Sequence, residues 1–159
     1  MKRRTRNYAP RDAILSGAVA CAATLLTVMW CGARESGSAV APVNASMHFL
    51  FGREAETNVD VDLRHTALGL LTNAAGCVFW ATLYEKAFGA AARCGKTAAA
   101  LLGGAAVAGL AYVTDYHIVP RRLSPGWEAH ISSRSLLLAY AALALSLPLR
   151  GLARSRRQQ

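Results

Sequence analysis

Ligand or acid–base chemistry in this chain would fall to four histidines, His48, His65, His117 and His130, together with Asp115. Imidazole and carboxylate together suit a divalent metal, and two facing imidazoles suit haem. The spacing offers no HExxH, no HxxxH and no paired CxxC. Asp115 and His117 are two residues apart, so on a helix they point to different faces. Capping, ion pairing and interface roles are therefore expected for these side chains. Arg121, Arg122 or Arg134 is the expected counter-charge for Asp115. A metal or haem site is the lesser alternative, and no cofactor is expected.

Two further polar residues lie in apolar surroundings. Asn73 sits in mid-segment and needs a hydrogen-bond partner on another helix. Glu85 stands at a segment end, where Lys86 or Arg93 can pair with it; acids that drive proton-coupled transport lie deeper. Cys21, Cys31, Cys77 and Cys94 form no metal or redox motif, and Cys21 and Cys77, within the first two segments, read as small apolar fillers. Ser16, Ser132, Ser133 and Ser135 lack any nucleophile context, so an enzyme is not the expected reading.

The elements that must position these residues are membrane helices. The chain has 159 residues, 53% hydrophobic and 17% charged, with mean hydropathy +0.24. Soluble domains carry about 25% charged residues, so the composition is shifted toward lipid. Its apolar content excludes disorder, and its length excludes a multi-domain enzyme. Crossing the hydrocarbon core takes about 20 apolar residues in a helix. Four segments qualify, at about 12–31, 65–84, 97–117 and 132–149, the last needing residues 131–133 or a snorkelling Arg150. The fold expected is an all-α four-transmembrane-helix bundle forming a single membrane domain.

Charge sets the expected orientation. The tails 1–11 and 150–159 and the loop between the second and third spans share one side and most of the lysines and arginines. The positive-inside rule then places both termini in the cytoplasm. The net charge of +9 is read as topology and contact with anionic lipid, not as nucleic-acid binding. A cleaved signal peptide is disfavoured, because the first apolar run is long and Pro42 follows its best small-residue site.

Between Gly32 and Arg64 lies an unusually long outer loop. Its apolar centre, Pro42 to Gly52, is too short to span and is expected to form a short interfacial or re-entrant helix, capped by Asn44 or Ser46. Asn44-Ala45-Ser46 also matches a glycosylation acceptor, and the acidic stretch 53–62 is expected to be solvated. In the second outer loop Pro120 ends the third helix and Trp127 reads as an interfacial anchor. Small residues, above all Gly103, Gly104, Ala105, Ala108 and Gly109, are expected to be helix seams, with a homodimer seam as the alternative.

Three stretches, Ala41 to Gly52, Arg64 to Glu85 and Tyr112 to Gly126, resemble a family of small four-helix bacterial inner-membrane proteins with no known activity. The resemblance implies architecture and location only. The expected function is non-enzymatic, exercised through the outer polar rim (Arg121 and Arg122 included) or as a partner of other membrane proteins. A small oligomeric transporter or channel, and a metal- or haem-binding redox component, are the alternatives.

Overall fold

The computed structural model describes residues 9–158, of which 79% are helical, with no strand among them. The basic residues Lys2, Arg3, Arg4 and Arg6 lie outside the described residues. Four helices are long and apolar enough to cross a membrane: Pro10–Glu35, His65–Ala87, Thr97–Ile118 and Ser133–Arg156. In element terms these are α1 (Pro10–Glu35), α5 (His65–Ala87), α7 (Thr97–Val113) with a π turn (Thr114–Ile118), and α8 (Ser133–Ser146) with α9 (Leu149–Arg156). Short helices α2 (Ala41–Ala45), α3 (His48–Phe51) and α4 (Arg53–Thr57) fill the first long loop, and α6 (Gly89–Arg93) joins α5 to α7.

These helices meet at small residues, which let their backbones approach closely. A Cβ on Gly17 of α1 would come within 2.7 Å of the Val78 Cα on α5. Likewise, a Cβ on Gly104 of α7 would collide with the Ala144 carbonyl oxygen on α8. The core between them holds Ala20, Val28, Ala81, Tyr84, Ala139 and Leu143. Not every small residue is a seam. Ala105 and Gly109 face outward, and a Cβ on Gly109 would meet nothing within 4 Å.

The bundle has two different ends. At the terminal end, Arg150 donates to Asp12 at 2.7 Å, joining α9 to the first turn of α1. Residues 150–156, expected as tail, thus continue the fourth helix, with Gly151 buried against Ala92. At the opposite end, here called the loop end, the Glu35 carboxylate accepts the Ser132 N–H at 2.5 Å and the Ser135 hydroxyl. Glu35 therefore closes the start of α8 from the end of α1, satisfying amides that a helix leaves free at its N-terminus.

The first long loop differs from the expected single interfacial or re-entrant helix. All of residues 41–48 are buried, with α2 tucked against α1, α5 and the 3₁₀ turn Trp127–Ala129. Asn44 explains this. Its side-chain amide donates to the carbonyls of Asn58 (3.0 Å) and Asp60 (2.9 Å), and its oxygen accepts the Thr66 hydroxyl at 2.7 Å. It caps no helix start and, at 0% exposure, is closed to glycosylation. Substituting Asn44→Ala takes the partner from two carbonyls and a hydroxyl that are partly buried. At about 1–3 kcal/mol for a stranded buried group, the expected outcome is selective opening of residues 38–66. Hydrogen exchange should rise there and stay unchanged in α7 and α8.

Candidate functional site

Beneath the loops, at the loop end, lies a cavity of about 280 Å³. Thr24 of α1, Asn73, Gly76, Cys77 and Trp80 of α5, and Asp115 of the π turn form its sides. Phe49 of α3 and the second loop, with Ser124 and Trp127, lie over it. The walls combine ring faces and aliphatic groups with a few polar atoms, the usual make-up of a small-molecule site.

Each wall residue is placed by a local cause. The α7 helix runs as α-helix to Val113 and widens to a π turn over Thr114–Ile118 before the extended Val119 and Pro120. That wider turn, a geometry often found at functional positions, turns Asp115 inward while His117 stays exposed. Trp127 is buried and donates its indole N–H to the Ser46 hydroxyl at 3.1 Å, joining the two loops. It is a core residue of the loop cover, not the interfacial anchor expected from its type. Asn73 donates to the Cys21 sulfur at 3.5 Å, so its amide does reach another helix.

Asp115 has no arginine partner. Its Oδ2 accepts the Tyr140 hydroxyl from α8 at 2.6 Å, and no ion pair to it is formed among the described residues. The expectation of Arg121, Arg122 or Arg134 is thus corrected. Arg121 and Arg122 are both exposed and neither lines the cavity, the Arg122 guanidinium donating to the Phe49 carbonyl at 3.4 Å. Tyr140 was the missed residue. A tyrosine hydroxyl within an apolar span needs a partner, and that was its signal.

The histidines do not converge. The His48 ring bridges the loops, Nδ1 lying 2.9 Å from the Ala45 carbonyl oxygen and Nε2 2.9 Å from that of Arg121. His65 opens α5, with Nδ1 2.6 Å from the Asp62 carboxylate and its ring edge-on to Phe51. Donation from the His65 backbone N–H and then from its ring holds the Asp62 carboxyl down at about 2. His130 places Nε2 2.7 Å from the Glu56 carbonyl oxygen, and His117 is exposed. No group of three or more His, Cys, Asp or Glu arranged for a metal ion occurs among the described residues. Three histidines thus act as separate latches holding the loops over the bundle. The stretch 53–62 is largely exposed, as expected, and it also forms α4 and supplies Asp62, whose carboxylate accepts the His65 N–H at the start of α5.

At the terminal end Glu85 is 3% exposed, accepting the Ser16 hydroxyl at 2.7 Å and the Arg93 guanidinium at 2.5 Å. Arg93 also approaches Asp12 at 3.9 Å, so this end is a buried charge network.

The fold and cavity together describe an all-helical protein with four helices able to cross a membrane and a partly covered pocket at one end. Comparison with protein-family models, curated proteins and solved structures finds no significant match to this chain. Its functional reading rests on the site itself.

Proposed function

We propose that this is a non-enzymatic multi-pass protein of the bacterial cytoplasmic (inner) membrane, both termini inside, that binds a small ligand at its outer end. The carrying observation is the cavity of about 280 Å³, partly open beside the exposed Thr72 and Gly76, with a carboxylate in its wall. The surplus of lysine and arginine on the terminal side supports the orientation. Binding fits better than catalysis because the lining hydroxyls serve structure. Ser124 donates to Glu128 at 2.8 Å, and Ser46 accepts from Trp127. Partnership with a second copy or another membrane protein is the companion proposal, supported by the outward-facing Ala105 and Gly109. A transporter or channel would need a path past Tyr84, Glu85 and Arg93, which close the terminal end.

Calorimetric titration of the protein in zwitterionic lipid nanodiscs tests the reading, with empty nanodiscs as the blank. Three ring-sized probes serve: benzyltrimethylammonium, benzyl alcohol and benzoate. Gly76 lines the cavity and has open space around its would-be Cβ, so Gly76→Phe fills the pocket. Saturable binding of at least one probe to the wild type, lost in Gly76→Phe, is the expected result. No binding of any probe, or equal binding by the variant, overturns it.

A further inference from the structure

Resting on the ligand-binding reading above, we infer that the cavity takes a small monovalent organic cation, its positive group against Asp115 and its apolar part among the rings of Trp80, Trp127 and Phe49. Asp115 is set into a wall formed largely of apolar groups, with Tyr140 as its single side-chain hydrogen-bond donor and no ion pair among the described residues. Asp115 is half-buried, and a carboxylate partly withdrawn from water is stabilised by a counter-charge, which no ion pair among the described residues supplies.

The surroundings decide among the candidates for that charge. Two tryptophans and a phenylalanine line the same cavity, and ring faces attract cations, tryptophan most strongly. An anion would meet the Asp115 carboxylate, which repels it. A divalent metal ion needs several oxygen or nitrogen ligands, and the described residues supply no such group. A cavity of about 280 Å³ lies at the small end for ligand sites, which suits one ring or one compact ammonium group. An ammonium carrying apolar substituents meets all three conditions. It neutralises Asp115, presents a soft cation to the rings and covers the aliphatic wall.

The test uses the same three probes and adds Asp115→Asn, which keeps an oxygen to accept the Tyr140 hydroxyl and removes only the charge. The inference expects benzyltrimethylammonium to bind wild type at least tenfold more tightly than benzyl alcohol or benzoate. It also expects Asp115→Asn to weaken that binding at least tenfold. Equal or tighter binding of benzyl alcohol or benzoate overturns the cation assignment and leaves the ligand-binding reading standing. Unchanged affinity of the ammonium probe in Asp115→Asn overturns it likewise. Silence from all three probes overturns both. Should Asp115→Asn fail to fold, the ranking of the three probes on wild type still decides.

Discussion

Replacing Arg93 by glutamine is expected to destabilise the bundle by about 3–5 kcal/mol, the loss typical when one partner of a buried ion pair is removed. The reason is the position of Glu85. Its carboxylate is nearly fully enclosed, with the Arg93 guanidinium 2.5 Å away and the Ser16 hydroxyl 2.7 Å away. Without the guanidinium it must stay charged and uncompensated or take up a proton. Removing both charges relieves that conflict. The double variant Glu85→Gln with Arg93→Gln should therefore recover much of the single loss, because an uncharged pair leaves no orphan. Denaturant titration in mild detergent, run as a double-mutant cycle, measures the coupling. Equal losses in the single and double variants would show that the pair is not what Arg93 contributes.

Two glycines five residues from each other on the same helix, Gly104 and Gly109, should respond to alanine with opposite signs. Gly104→Ala pushes a methyl into the Ala144 carbonyl oxygen. That obstacle is backbone, so α7 and α8 must separate, at a cost of about 1–3 kcal/mol typical of overpacking. Gly109→Ala meets nothing within 4 Å, and the expected change is a gain of about 0.5–1 kcal/mol from helix propensity alone. Thermal unfolding of the two variants side by side reads the difference. Destabilisation by Gly109→Ala would show that this face packs against a second copy or another protein, the companion proposal for its partner.

That contrast also separates what sequence could reveal from what it could not. Helices α1, α5, α7 and α8 were legible because hydropathy reports the one demand lipid makes on every span. Each needs a long apolar run whose backbone hydrogen bonds close within itself. Pro120 marked the end of the third helix for an equally local reason, and the edge position of Glu85 marked its need for a cation. The loop end was far less legible. Asn44 read as a cap or a glycosylation acceptor because those uses are local patterns. Its actual partners, Asn58, Asp60 and Thr66, come from the far side of the loop.

The site divides in the same way. His48, His65, His117, His130 and Asp115 all drew notice by residue type, yet type and spacing carry no information on convergence. Only the folding of two loops over α5 and α7 decided that His48, His65 and His130 hold separate backbone and carboxylate partners. It decided too that Asp115 meets Tyr140 from α8 while the nearby arginines face away. The sequence by itself determined how many helices are long and apolar enough to cross a membrane and which end carries the loops, since these follow from local hydropathy and charge. Which glycine is a seam, which acid lacks a counter-charge and where a cavity remains were set by the tertiary structure. Each of these depends on contacts between residues far apart in the chain.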